Sequence, residues 1–155
     1  MITCEGARWV GAQASAIAAQ TRPPDEVVVA DDASTDDTVA RAATALAPLG
    51  DRVRVLESGE RLGLTPNFER AARAGTGDIV VFSDQDDVWL PRRLAAVEEW
   101  ATRATTAGCF TDGWIIDADG RRTGEHLWDR AGFGPGTRLR WDRDALGVLL
   151  RQPVV

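Results

Sequence analysis

Three carboxylates, Asp84, Asp86 and Asp87, follow directly on the apolar run Ile79-Val80-Val81-Phe82. Such a run reads as a buried strand that delivers its acids to the carboxyl edge of a sheet, where open α/β folds place their ligands. While the chain is extended, Asp84 and Asp86 point to the same side, because strand side chains alternate with period two. Two hard oxygen donors on one side suit Mg²⁺ or Mn²⁺, an ion that takes its other ligands from water and substrate phosphates. The competing reading is a solvated acidic turn before the helix that begins near Pro91, since acids are favoured at a helix N-terminus in any case.

A second acidic cluster has the same layout. Val27-Val28-Val29-Ala30 reads as a buried parallel strand and runs into Asp31-Asp32-Ala33-Ser34-Thr35-Asp36-Asp37. Ser34 and Asp37 resemble a capping box with Asp in place of Glu or Gln, so Ser34, Asp36 and Asp37 are expected to cap and charge the next helix. Asp31 and Asp32 precede that cap and are the candidates for ligand contact. Arg61, in the turn Glu60-Arg61-Leu62-Gly63, emerges at the same edge and can meet a phosphate with its forked donors; the alternative is a surface arginine. Asn67, the chain's one asparagine, is expected to serve a helix start. His126, its one histidine, is expected to be structural or on the surface.

The elements that position these residues alternate. Met1–Cys4 reads as the end of a strand clipped short of the usual four to eight residues. Val10, Ala14, Ile17 and Ala18 recur at helical spacing and predict a helix over Ala7–Gln20, which Arg22-Pro23-Pro24-Asp25 breaks. A helix bearing Val39, Ala42, Ala43 and Leu46 follows the second strand. Val53–Leu56 predicts a third strand and Pro66–Ala74 a third helix. Leu90, Leu94, Val97, Ala101 and Ala104 mark a fourth, with Trp89 and Trp100 packed in the core or beneath it. Gly108–Asp112 and Trp114–Asp117 suggest two strands or one kinked strand, and Ala118–Arg121 a turn. From Arg122 to Thr137 no periodicity is clear. Arg143–Leu150 reads as helical, and Gln152–Val155 as the start of another strand. Alternation of this kind implies a mostly parallel sheet with right-handed crossovers.

Composition narrows the functional classes. The 155 residues suffice for one domain with a real core, and 44% hydrophobic and 27% charged content is ordinary for a globular protein. A net charge of −6 argues against nucleic acid as a partner. All 18 basic residues are arginines, which excludes a Schiff-base lysine and a Walker phosphate loop. Cys4 and Cys109 lack metal-site spacing and fit a reducing compartment. No apolar run reaches the roughly 18 residues of a membrane span, and no signal peptide opens the chain. The expectation is a cytoplasmic protein, with peripheral association at the inner face of the cell membrane left open.

Two long motifs resemble those of family 2 glycosyltransferases. Gln20-Thr21-Arg22-Pro23-Pro24-Asp25-Glu26-Val27-Val28-Val29-Ala30-Asp31-Asp32-Ala33-Ser34-Thr35-Asp36 is similar to their first signature, in which a glycine follows the aspartate pair. Thr76-Gly77-Asp78 through Asp84-Gln85-Asp86-Asp87-Val88-Trp89 is similar to their DxD element, in the form of the bacterial rhamnosyltransferase-type branch. The resemblance implies a partial Rossmann-like GT-A domain, truncated at both ends, acting on a nucleoside-diphosphate sugar and a glycan or lipid-linked acceptor. It implies a metal-assisted, inverting transfer in cell-wall or polysaccharide synthesis. Asp31 or Asp32 would contact the base or ribose. Asp84 and Asp86 would hold Mg²⁺ or Mn²⁺, with Asp86 the direct ligand, and Gln85 and Arg61 would join the donor site. Thr3-Cys4-Glu5-Gly6 stands where the family has an aromatic base contact, which leaves Thr3 and Glu5 as donor-site candidates. The family's catalytic base carboxylate lies in a later half, beyond this chain, and Asp112 reads as a strand-end turn residue. The rival readings are a non-catalytic nucleotide-sugar-binding fragment and a metal-dependent nucleotidyl- or phosphotransferase.

Overall fold

Val27 and Val29 share one face of a strand by period two, and Val10, Ala14 and Ile17 share one face of a helix. In the computed structural model, which describes residues 1–102 and 108–134, these faces meet. The chain divides into two units, residues 1–108 and residues 109–155. The expected helix at Arg143–Leu150 and strand start at Gln152–Val155 lie outside the described residues, as does Ala104.

The first unit is built on a three-stranded parallel sheet in the order β1 (Ile2–Thr3), β2 (Val27–Asp31), β3 (Val53–Glu57). Ile2 lies opposite Ala30, Thr3 opposite Asp31, and Asp31 opposite Glu57. Parallel neighbours require crossovers, and α1 (Val10–Ala18) and α2 (Thr38–Leu46) provide them, with Ala47–Arg52 as a 3-10 turn after α2. Val10, Ala14 and Ile17 of α1 bury against Val27, Val29, Ala42, Leu46 and Trp89. On the sheet's other face, α3 (Leu64–Ala74) sends buried Asn67 to donate from Nδ2 to the Ala30 carbonyl at 2.9 Å. The helix α4 (Arg93–Ala101) closes the unit. This is the α/β architecture that the alternating pattern predicts.

Several expectations are corrected. Ile79–Phe82 joins no ladder: Ile79, Val80 and Phe82 are 46%, 51% and 57% exposed. Its neighbour β1 is two residues long and offers little backbone to pair with, so one bond, Ile2 N–H to the Ser83 carbonyl at 3.0 Å, is what ties the run's end to the sheet. The first and fourth helices are shorter than their periodicity suggests, and Trp100 is exposed while Trp89 is buried. Asn67 is a buried brace, not a helix cap. No capping box forms, since Asp37 makes no side-chain cap bond and Ser34 is engaged with Asp31.

In the second unit, β4 (Trp114–Ile116) pairs antiparallel with β5 (Arg122–His126), which runs into the single turn α5 (Leu127–Arg130). Gly108–Asp112 forms no strand, and a strand appears where no periodicity was visible. Its five residues are mostly exposed, so no burial pattern marks them in the sequence. Asp112 organises this unit. It accepts N–H bonds from Gly113 and Trp128 at 2.9 and 3.0 Å, and His126 Nδ1 lies 2.9 Å from its other oxygen. The His126 ring packs on Trp114 at 3.9 Å between centroids.

Burial opposes ionisation of Asp112, but the bonds from Trp128, Gly113 and His126 outweigh it and hold the carboxyl below its ordinary value. A carboxyl depressed in the folded state stabilises above its unfolded value, near pH 4, and loses that contribution as pH falls through the folded value. The expected outcome is an acid transition of the hairpin below about pH 4, seen in the near-ultraviolet dichroism of its tryptophans. Asp112→Asn loses that stability already at neutral pH and removes this part of the acid limb; an unchanged acid limb contradicts the assignment.

Candidate functional site

Because β1, β2 and β3 are parallel, their carboxyl ends share one rim. Thr3 pairs with Asp31 across β1 and β2, and the 83–85 segment runs beside β1 in the same direction. Ile2 bonds Ser83, and two residues on Cys4 N–H donates to Gln85 Oε1 at 2.8 Å. Asp31 and Asp32 therefore leave the sheet on one side of β1, and Asp84 and Asp86 on the other, at the same rim.

The two acid pairs differ in kind. Asp31 is buried and accepts from Thr3 Oγ1, Ser34 Oγ and Ser34 N–H at 2.7, 2.7 and 2.8 Å. That grip bends the chain through Ala33 with φ of 55°, a left-handed conformation costly for a residue with a Cβ. Asp32 accepts from the backbone N–H groups of Leu62 and Gly63 at 2.6 and 2.9 Å, which fixes the turn carrying Arg61. Each Asp32 oxygen keeps one lone-pair site, whereas Asp31 Oδ1 is filled. Thr3 is buried behind Asp31 as its hydroxyl donor.

Arg61 reaches out from that turn to Glu5 Oε1 at 2.7 Å, and Thr35 N–H donates to the same oxygen at 3.1 Å. Glu5, like Ala33, is left-handed, with φ of 47°. The Arg61–Glu5 pair is exposed, so it contributes about 0–1 kcal/mol.

Asp84, Asp86 and Asp87 are exposed, and none of their carboxylates accepts a hydrogen bond from another described residue. Burial, then Asp86, raises the Asp84 carboxyl above its ordinary value, against the pull of the terminal ammonium. Burial, then Asp84 and Asp86, raises Asp87, with Arg93 opposing. Crowded carboxylates with free lone pairs are a donor set that a divalent cation relieves. Among the described residues no group of three or more His, Cys, Asp or Glu side chains is placed to cage a metal. Hard carboxylate oxygens of this kind fit a hard divalent ion, and the residues that would hold it are Asp84 and Asp86.

The loop bearing these acids is pinned by residues the motif reading overlooked. Gln13 is fully buried; its Nε2 donates to Ser83 Oγ at 2.7 Å and its Oε1 accepts the Trp89 N–H at 3.1 Å, so it clasps both ends of the loop. Gln20, just beyond the C-terminal end of α1, donates to the Leu90 carbonyl at 2.8 Å and accepts the Leu94 N–H at 3.0 Å. Gln13, on the face that also carries Val10, Ala14 and Ile17, was the available signal, since a polar group buried there needs partners. Arg70 of α3 donates to the carbonyls of Asp31, Leu56 and Glu57 and closes the ends of β2 and β3.

Gln85, expected in the donor site, is spent on the backbone: its amide donates to the Cys4 carbonyl at 3.0 Å while accepting the Cys4 N–H. This explains Gly6, where an added Cβ would lie 2.0 Å from Gln85 Oε1. Gly6→Ala expels the Gln85 amide and breaks both bonds to Cys4. At about 1 kcal/mol per bond the expected cost is about 2 kcal/mol of stability, read by denaturant unfolding; Gln85→Ala in the same background then adds little.

Known proteins resemble this chain in family and in fold. Residues 3–148 match the family model described as Glycosyl transferase family 2. An uncharacterized glycosyltransferase of Nostoc sp. is 28% identical over 113 residues, 73% of this chain and 35% of the relative. An uncharacterized protein of Mycobacterium tuberculosis is 30% identical over 129 residues, 82% of this chain and 34% of the relative. The chain spans about a third of the length of these curated relatives. The crystal structure of S. aureus TarS 1-349 in complex with UDP superposes with a TM-score of 0.59 at 19% identity, covering 77% of this chain and 41% of that one. At that identity the likeness concerns the fold, and it extends to the GT-A sheet.

Proposed function

Because the chain belongs to glycosyl transferase family 2, we propose that its carboxyl rim binds a nucleoside-diphosphate sugar and presents it for transfer to a glycan or lipid-linked acceptor. The observation that carries this reading is the emergence of Asp31 and Asp32 on one side of β1 and of Asp84 and Asp86 on the other, at one rim. Asp32, with lone pairs to spare, takes the base or ribose, and Asp31 shapes the loop around it. Arg61 leaves Glu5 for the polar edge of the base or for phosphate. Thr3 acts through Asp31, and Gln85 through Cys4. Asp84 and Asp86 hold Mg²⁺ or Mn²⁺, with Asp86 the direct ligand. Such an ion would supply Lewis-acid neutralisation of charge on the departing nucleoside diphosphate.

No helix among the described residues is long and apolar enough to cross a membrane. The proposed place of action is the cytoplasm, with the acceptor met at the inner membrane face. Calorimetric titration of UDP, GDP and dTDP, each with and without Mn²⁺, tests the reading. One nucleotide is expected to bind at least about tenfold tighter with the metal present, a difference of about 1.4 kcal/mol. Metal-independent binding of all three, or of none, sinks it.

A further inference from the structure

Of the four buried residues of α1, Val10, Gln13, Ala14 and Ile17, Gln13 alone is polar. A fully buried amide is tolerated where its hydrogen bonds are met. Those of Gln13 are met by two groups that bracket the acids. Its Nε2 donates to Ser83 Oγ at 2.7 Å, and its Oε1 accepts the Trp89 N–H at 3.1 Å. Ser83, also buried, passes the link on: its hydroxyl donates to the Asp84 carbonyl at 3.2 Å. Between Ser83 and Trp89 lie Asp84, Asp86 and Asp87. Among the described residues no backbone–backbone hydrogen bond holds the stretch 84–88 to a strand or helix. Side-chain amides hold it instead: Gln13 closes the loop's ends, and Gln85 ties its middle to both backbone groups of Cys4. Three like charges within four residues repel one another, so a loop released from these ties spreads its carboxylates apart.

We infer that Gln13 is a positioning residue for the divalent ion: from inside the core it fixes both ends of the acid loop, keeps Asp84 and Asp86 gathered before the ion arrives, and so sets metal affinity without touching metal or substrate. This role rests on the reading of Asp84 and Asp86 as metal ligands. Its physical basis is preorganisation. An ion that meets carboxylates already held together has neither their repulsion to oppose nor the chain that carries them to order. Removing a group that orients metal-binding residues through hydrogen bonds typically costs about 10–100-fold in affinity. Glutamine suits the task because its amide both donates and accepts, so one side chain holds an acceptor at one end of the loop and a donor at the other. Neither end can shift without leaving a buried polar group unpaired.

The test uses the chain without nucleotide and Mn²⁺ alone as the probe, read by the paramagnetic broadening of the amides of residues 84–87 well below each variant's Tm. Gln13→Met keeps the length of the side chain and removes both bonds. Ser83→Ala removes one and keeps the bond to Trp89, and it carries the test where the buried methionine is not accommodated. Ile17→Val trims the same face of α1 with the Gln13 bonds in place, and controls for loosened packing. In the metal-free chain, Gln13→Met is expected to speed amide exchange at Trp89 at least about tenfold. Gln13→Met and Ser83→Ala are each expected to raise the Mn²⁺ Kd at least about tenfold. The double variant is expected to lose no more than Gln13→Met, because one chain of bonds carries both effects. Ile17→Val is expected to leave the Kd unchanged. Faster exchange at Trp89 with an unchanged Kd overturns the role of Gln13 and leaves the nucleotide reading standing. An equal loss in Ile17→Val, or additive losses in the double variant, overturns it as well. Absence of Mn²⁺ broadening at residues 84–87 in the unsubstituted chain overturns the metal reading itself, and this role with it.

Discussion

In a version extended to the length of the curated relatives, Asp86→Ala is expected to lower kcat for sugar transfer by about 10²–10³, the loss seen when one preorganised electrostatic group is removed from an active site. The carboxylate is exposed and makes no hydrogen bond to another described residue, so its loss leaves no orphaned donor and the fold is expected to keep its melting temperature. Removing one negative charge also relieves Asp84 and Asp87, both of which Asp86 pushes upward. The fold therefore gains slightly, if anything, while the proposed metal site loses one of its two carboxylates. Two readouts follow from one variant: turnover collapses, and the Mn²⁺ dependence of nucleotide binding weakens. Unchanged turnover with unchanged Mn²⁺ dependence removes the metal assignment. Loss of both activity and melting temperature would mean that Asp86 is structural.

Asp31→Ala is expected to behave in the opposite way. Its carboxylate takes hydrogen bonds from Thr3 and twice from Ser34 in a buried setting. Hydrogen bonds to a charged group contribute about 1.5–3 kcal/mol each, and buried donors left without a partner add to the loss. With partial relaxation the net cost is about 3–5 kcal/mol, a large share of the 5–15 kcal/mol that holds a typical domain together. Chemical denaturation of Asp31→Ala beside Asp32→Ala separates the two roles. Asp31→Ala is expected to lose stability first. Asp32→Ala frees only the N–H groups of Leu62 and Gly63 at a loop, and is expected to lose nucleotide affinity out of proportion to stability. The reverse ordering would exchange their roles.

The residue types and order of this chain were enough to place the two acid clusters, the alternation of strand and helix, and the family. Each of these is a local signal: an apolar run ending in aspartates, a helical spacing of Val10, Ala14 and Ile17, a pair of motifs in sequence. What each acid does was decided elsewhere. Asp31 and Asp32 are neighbours of identical type, and tertiary partners separate them: Thr3 and Ser34 gather on one, and the Leu62–Gly63 turn on the other. Gln13, Gln20, Gln85 and Arg70 became braces of the rim because their partners lie far along the chain, 70 to 81 residues away for the glutamines. Ile79–Phe82 shows the same limit from the other side. Its composition specifies a strand, but a strand exists through the backbone of its neighbours, and the two residues of β1 supply too little of it.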